Sequence, residues 1–178
     1  MRFAVDFHGP FRVATGHAAR GADASVDVAS PLPAASLKGV MRASAELLLP
    51  RRHDLVELVF GSPRSPSPWS WSSASVPDAS VRKRARVAID PDRHAALPGA
   101  LLFAEEVWAR TASFTVQPLA RVADRRTHEL VLLASAHGVH ALGGDRRRGL
   151  GWVTVRGTDP ILDGDALDAF AALGGVRA

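Results

Sequence analysis

The sequence predicts an α+β fold with a ferredoxin-like (RRM-like) βαββαβ core and an inserted β-hairpin. Segments of alternating apolar and polar residues, typical of strands, are interleaved with two segments in which apolar residues recur every three or four positions, as on one face of a helix. In chain order the predicted elements are strand, helix, hairpin, strand, helix and strand. This is the ferredoxin-like order with an elaborated centre.

The composition is that of a chain that folds. The 178 residues suit a single domain, 1–178, and 47% of them are apolar. The absence of cysteine excludes disulfides, thiolate metal sites and a cysteine nucleophile. A net charge of +4 is compatible with a polyanionic partner. No apolar run is long enough to span a membrane, and we expect a cytoplasmic protein.

The first half of the chain supplies a strand and the clearest helix. Alternating apolar residues over 2–13 predict the first strand, with a bend at Gly9-Pro10. A loop of small and polar residues covers 15–30. Helical spacing of apolar residues then predicts a helix over 36–49, and a short helix or strand follows at 55–60.

The second half alternates between loops and regular elements, with one long hairpin. We predict a Ser/Pro-rich loop at 62–80 containing a short edge strand around Trp69 and Trp71, a hairpin over 82–108, a strand over 112–119, a helix from Asp124 to about Ala141, a strand over 152–156, and a C-terminal tail over 163–178 that begins as a helix.

The helix that begins at Ser36 carries two cations and a glycine in its first turns. Gly39 costs about 1 kcal/mol relative to alanine inside a helix, so close approach of a ligand or another backbone is a plausible compensation. Free amide groups at a helix start favour phosphate, and Lys38 and Arg42 share one helix face. The alternative is a solvated basic face with the glycine packed on the sheet.

A second anion-binding candidate is the segment "LGGDRRRGLGWV" at 142–153. Glycines allow backbone amides to face an anion, and the arginines supply charge. The residues concerned are Gly143, Gly144, Arg146, Arg148 and Gly149. In a ferredoxin-like plan this loop lies near the start of the first helix, so we expect the two segments to form one anion groove.

A third candidate is the strand "RKRARVAID". Arg82, Arg84 and Arg86 share one face if this segment is extended, with about 6.6 Å between successive arginines. That spacing is comparable to the phosphate spacing of single-stranded nucleic acid. The alternative is an edge strand protected by charge against aggregation.

These segments occur in the order found in a known family. The chain resembles the RAMP superfamily of CRISPR systems, most closely the repeated backbone subunit of type III effector complexes. The resemblance is carried by "FRVATG" at 11–16, "PLPAASLKGVMRASAE" at 31–46, "VFGSPR" at 59–64, "RARVAID" at 84–90, "LLFAEEVW" at 101–108 and "LGGDRRRGLGWV" at 142–153.

The resemblance implies a subunit that holds a CRISPR guide RNA by its backbone and assembles head to tail as a homo-oligomer with other effector-complex subunits. The predicted RNA-binding residues are Ser36, Lys38, Gly39, Arg42, Arg84, Arg86, Gly143, Gly144, Arg146, Arg148 and Gly149. The hairpin over 82–108 corresponds to the family's thumb, which inserts into the duplex of guide RNA and target RNA. No membrane partner is expected.

The resemblance also implies target-RNA cleavage by one aspartate with Mg²⁺ or another divalent metal. Asp27 lies closest to that position and would be both the catalytic residue and a metal ligand; Asp23 is the rival. A non-catalytic structural subunit remains an alternative. A metal-independent, guide-processing endoribonuclease, with His17 as general base, is another.

Other residues have structural and functional interpretations. Trp69 and Trp71 are better suited to burial than to base stacking, and His137 and His140 lack a third metal ligand. For Glu105 and Glu106 we expect strand or subunit contacts.

Overall fold

The computed structural model describes residues 1–16, 21–174 and 176. These residues form six strands and four α-helices, in the order β1, α1, α2, β2 to β5, α3, β6 and α4. The strands are β1 (Arg2–Phe7), β2 (Trp69–Trp71), β3 (Ser80–Arg86), β4 (Leu102–Trp108), β5 (Thr111–Pro118) and β6 (Val153–Asp159). The helices are α1 (Ala34–Leu48), α2 (His53–Phe60), α3 (Arg125–His137) and α4 (Gly164–Ala172).

The strand order confirms the predicted fold class. Four strands form one sheet in the order β2-β5-β1-β6, and every pairing is antiparallel. Strands β1, β2, β5 and β6, with α1 and α3 as crossovers, reproduce the βαββαβ plan. The inserted hairpin β3-β4 forms a separate two-stranded sheet.

The core lies between this sheet and the helices. Phe3 of β1 stacks on Phe114 of β5, with ring centroids 5.0 Å apart, and both side chains are buried. A Cβ built on Gly157 of β6 would lie 2.3 Å from a methyl group of Leu133, so this side of β6 faces α3. The other face of the sheet carries exposed side chains, which is the alternation expected of an antiparallel sheet covered on one side.

Side-chain caps fix the starts of two helices. The Asp124 carboxylate accepts the Thr127 amide at the start of α3, and Asp163 accepts the Ala166 amide at the start of α4. The predicted helix from Asp124 thus begins as expected, but α3 ends at His137. Glycine suits position 138, which follows the helix, because any side chain there would collide with Ser44 of α1.

The first strand is shorter than the apolar alternation predicts. It ends at Phe7, and after the Gly9-Pro10 bend Phe11 pairs with Val107 of β4 instead of continuing the main sheet. The bend therefore directs the chain from the main sheet to the inserted hairpin. The segment 55–60, for which helix and strand both remained open, belongs to α2.

The two tryptophans of β2 are core residues, as expected. Trp69 donates its indole N–H to His128 Nδ1 (3.0 Å), and Trp71 stacks on Phe60. Burial lowers the pKa of His128, which favours the neutral ring that accepts this bond. No helix within the described part of the chain is both long and apolar enough to cross a membrane.

Candidate functional site

The glycine loop, residues 142–151, is seated on the segment that follows β1. The amide of Gly144 donates to the Arg12 carbonyl (2.8 Å), and the amide of Gly151 donates to the Pro10 carbonyl (2.8 Å). A Cβ on Gly143 would lie 2.3 Å from the Arg12 carbonyl oxygen. Glycine is required at 143 because the two backbones touch there and because φ is +78°.

Asp145 connects the glycine loop to the β3-β4 hairpin. Its carboxylate pairs with Arg12, which is buried, and with Nη1 of Arg86 on β3 (2.7 Å). Arg148 lies 3.8 Å away on the 3-10 turn that follows. Asp145 adopts φ +54°, a left-handed conformation that aspartate tolerates better than most residues. One carboxylate therefore holds arginines from three segments.

Glu106 organises the neighbouring part of the same cluster from inside the hairpin. This side chain is buried, and its Oε1 accepts from Arg84 Nη2 and from Trp108 Nε1, each at 3.0 Å. Arg84 Nε lies 2.9 Å from the other carboxylate oxygen. Arg82, on the same strand face, covers the Trp108 ring at 5.0 Å. The arginines of β3 thus share one face, as predicted.

The electrostatics of this cluster favour an anion. Burial is the main cause that lowers the pKa of Arg12, and the like charges of Arg86 and Arg148 lower it further. Burial also lowers the pKa of Arg86, with Arg148 and Arg84 as the next causes. The guanidinium groups remain protonated, so the positive charge in this cluster exceeds what its carboxylates neutralise. A bound phosphate would relieve that repulsion.

Two adjoining clefts expose this charge, and we call them together the arginine groove. The larger cleft, about 1040 Å³, runs between the β3-β4 hairpin and the glycine loop. The smaller, about 620 Å³, lies against the 3-10 turn of Arg146–Arg148, and both are lined by Asp145 and Arg148. The charged residues of the larger cleft are Arg12, Asp23, Arg84, Arg86, Asp145 and Arg148.

The lysine-bearing helix does not take part in this groove, contrary to the expected single anion site. The Lys38 ammonium lies 5.4 Å from the ring centroid of Trp71 in β2, whereas the glycine loop leads into β6. These strands are the opposite edges of the sheet, about 14 Å apart at the usual strand spacing. The two basic segments therefore form separate surfaces.

The other residues at the start of α1 have defined surroundings. Arg42 binds Glu46 and donates to the Gly61 carbonyl at the end of α2 (3.0 Å). Ser36 lies in the first turn, where its amide donates to the Pro33 carbonyl. Outside the adjacent residues and the nearby backbone of α1, no described atom lies within 4 Å of a Cβ built on Gly39, so packing against another element does not explain this glycine. RNA binding by these residues stays a prediction.

Asp27 is exposed on the loop before α1, and its Oδ1 accepts the Ala29 amide (2.9 Å) as in an Asx turn. Asp23 is tied to β4, where it accepts the Phe103 amide (2.8 Å). Among residues 1–16, 21–174 and 176, no three His, Cys, Asp or Glu side chains form a metal-binding group. The described side chains around Asp27 therefore do not make a metal site, and its catalytic role stays a prediction.

The histidine hypotheses divide into two. His17 lies outside the described residues, so its proposed role as a general base stays a prediction. His137 ends α3 beside an apolar cleft lined by Leu48 and Phe170, and the His140 carbonyl accepts the Val153 amide. These are structural surroundings at the end of a helix.

Three residues of this region could not be recognised as part of the site from the sequence. Arg12 and Asp145 lie within quoted segments, but their pairing joins positions 133 residues apart and leaves no local pattern. Trp152 is 61% exposed at the end of the glycine loop, whereas both tryptophans of β2 are buried. For Trp152, the sequence did carry a signal: a large apolar residue stands directly before the alternating buried and exposed residues of β6.

Comparisons with known proteins agree with this fold. The model of the RAMP superfamily matches residues 9–154. Among solved structures, a chain of type III-B Cmr-beta bound to cognate target RNA has a TM-score of 0.72 and 13% identity. A chain of type III-B Cmr-beta in the apo state has a TM-score of 0.68 and 12% identity. Each match covers 87% of this chain and 95% of the other.

No curated protein matches the chain. The structural matches show a shared fold. The family model covers most of the sequence, including the glycine loop and the β3-β4 hairpin. The chain belongs to the RAMP superfamily.

Proposed function

We propose that this protein is an RNA-binding subunit of a type III CRISPR effector complex and holds the guide RNA by its sugar–phosphate backbone in the arginine groove. The observation that carries the proposal is the cluster of Arg12, Arg84, Arg86 and Arg148, four arginines whose described ion pairs are made with two carboxylates, Asp145 and Glu106. Guanidinium groups in excess of the carboxylates they pair with, two of which (Arg12 and Arg86) have pKa values lowered mainly by burial, favour the binding of phosphate oxygens.

The family and the fold support the assignment to such a complex. Cmr-beta, whose chains share this fold, has been determined both bound to target RNA and in the apo state. For this chain we infer the same kind of partners, namely guide RNA, target RNA, other effector subunits and further copies arranged head to tail. The thumb extends from the groove through β3 and β4, and we assign its tip to the guide–target duplex.

The groove binds by charge and shape and not by base identity. Its cationic side chains are arginines, whose planar groups suit phosphate oxygens. The amides of Gly144, Gly149 and Gly151 bond to carbonyls within the chain, so the arginines and not the loop backbone supply the contacts. Asp145 and Glu106 hold the arginines apart and oriented before RNA arrives. The basic surface at Lys38 and Arg42 lies at the other edge of the sheet and would contact a different part of a long RNA.

Direct binding of single-stranded RNA tests this proposal. We expect two RNAs of the same length and unrelated sequence to bind with equal affinity. With about four phosphate contacts, binding should weaken roughly 50-fold between about 50 and 200 mM salt. Fluorescence anisotropy measures both properties. A strong preference for one sequence, or affinity that does not depend on salt, would contradict backbone recognition.

Cleavage of target RNA is the finer part of the proposal, and Asp27 is its candidate residue. The exposure of this carboxylate on the loop before α1 favours it, because only one of its oxygens is used in the Asx turn. Among the described residues, no other His, Asp or Glu side chains join Asp27 in a metal-binding group. The alternative is a subunit that binds RNA without cutting it.

Replacing Asp27 by alanine distinguishes these two functions. Assembled complex, guide RNA and labelled complementary RNA are incubated with Mg²⁺, and products are separated by electrophoresis. We expect cutting to fall to background in Asp27→Ala and to persist in Asp165→Ala, which removes an exposed carboxylate from α4. Undiminished cutting by Asp27→Ala would remove this residue from the mechanism, and no cutting by the wild-type complex would favour the structural subunit.

A further inference from the structure

Trp152 is an exposed indole at the point where the glycine loop becomes β6. It is 61% exposed, whereas Trp69 and Trp71 are buried and Trp108 is covered by Arg82. Its backbone is held firmly, because its carbonyl accepts the His8 amide (2.9 Å) and the residue pairs with Ala141. A large apolar side chain is therefore presented to solvent from a fixed position.

Burial along β6 gives the direction in which this side chain points. Val153 and Val155 are buried, Gly157 faces α3, and the intervening Thr154 and Arg156 are exposed. Because successive residues of a strand alternate between faces, Trp152 lies on the side away from the helices. It thus adds nothing to the core, and its position needs another explanation.

A cationic cleft begins at the bridge partner of Trp152. This smaller cleft of the arginine groove is lined by Ala141, which pairs with Trp152, and by Asp145, Arg146, Arg147 and Arg148. These three arginines are exposed, and within the described chain neither Arg146 nor Arg147 has a carboxylate at ion-pair distance. An aromatic platform beside unneutralised arginines is the combination with which proteins bind single-stranded nucleic acid.

We propose that Trp152 stacks on an unpaired base of the RNA whose adjacent phosphates occupy the cleft at Arg146–Arg148. This inference rests on the proposed RNA-binding function and adds a base-contacting position to it. Every base has a π-face, so the contact adds affinity without strong sequence preference. It also fixes the nucleotide at this position relative to the glycine loop.

The surroundings favour a base over a protein partner. The exposed residues next to Trp152 on β6 and β1 are polar, including Thr154, an ion pair of Arg156 with Asp6, and His8 bonded to Thr154. Protein interfaces usually surround such an anchor with further apolar side chains at a desolvated centre. A single indole among polar groups and arginines fits one stacked base better.

Substitution of Trp152 tests the stacking. Titrations use single-stranded RNA and an abasic phosphodiester of equal length. One stacked base contributes about 1–3 kcal/mol, so Trp152→Ala should weaken RNA binding about 5- to 150-fold and abasic binding very little. Trp152→Phe should keep most of the affinity, and Trp152→Leu should not. Ile161→Ala, at a similarly exposed residue beyond β6, is the matched control.

The outcomes separate this inference from the proposed function. If wild-type protein binds RNA and Trp152→Ala binds it equally well, stacking is refuted and the arginine groove stands. If Trp152→Leu behaves like wild type, or if the substitution changes the oligomeric state by light scattering without changing RNA affinity, Trp152 is a protein contact and the inference fails. If wild-type protein binds no RNA, both proposals fail.

Discussion

Gly151→Ala is expected to destabilise the protein by about 3–5 kcal/mol. The residue has φ +76°, and a Cβ there would lie 1.9 Å from the Leu142 carbonyl oxygen. The Leu142 amide in turn donates to the Gly151 carbonyl, and the Gly151 amide donates to Pro10. The backbone at Gly151 cannot move away from Leu142 to make room for a Cβ without breaking the hydrogen bonds that hold the loop in place.

Gly149→Ala is the matched control for this prediction. Gly149 has nearly the same φ, +80°, but nothing lies within 4 Å of its Cβ position. It should lose only about 1–2 kcal/mol, the cost of a left-handed conformation. Urea denaturation followed by circular dichroism measures both variants. Equal losses would show that backbone contact at Gly151 is not what requires glycine there.

Arg86→Ala combined with Arg148→Ala is expected to weaken RNA binding about 100-fold. Each residue lines the arginine groove, and each approaches Asp145 from a different segment. A hydrogen bond to a charged group contributes about 1.5 kcal/mol or more, which is close to tenfold for each arginine. Affinities at one salt concentration, measured by fluorescence anisotropy, check this value.

The control for this pair removes the same charge elsewhere. Arg51 and Arg126 are both exposed, and neither lines the arginine groove. The double variant Arg51→Ala with Arg126→Ala has the same net charge as the test variant. Its RNA affinity should stay within about threefold of wild type, since exposed charges contribute little at a distance. Equal losses in both variants would mean that only net charge matters.

Much of the fold could be predicted from local sequence. The alternation in β1 and β5 reports burial on one face of an antiparallel sheet, and the apolar stripe of α1 reports its contact with that sheet. The order of elements then leaves the ferredoxin-like plan as the simplest arrangement. The end of β1 at Phe7 could not be predicted, because the apolar alternation continues into the pairing of Phe11 with Val107.

The site was predictable in its parts but not in its assembly. The glycines and arginines of the loop and of β3 are visible as motifs. Their meeting depends on Asp145, which pairs with Arg12 and Arg86, residues far away in sequence. Lys38 was expected beside the glycine loop because, in a ferredoxin-like plan, that loop lies near the start of the first helix. The sheet order separates them, since α1 packs toward β2 and the loop enters β6.

The salt dependence of RNA binding tests most directly the claim that phosphates occupy the arginine groove. For single strands, the slope of log K against log salt is about −0.7 for each phosphate contact. With four arginines engaged, wild-type protein should give about −2.8. Arg86→Ala with Arg148→Ala should give about −1.4, while the Arg51 and Arg126 control keeps the wild-type slope. An unchanged slope in the Arg86 and Arg148 variant would show that the RNA backbone lies elsewhere.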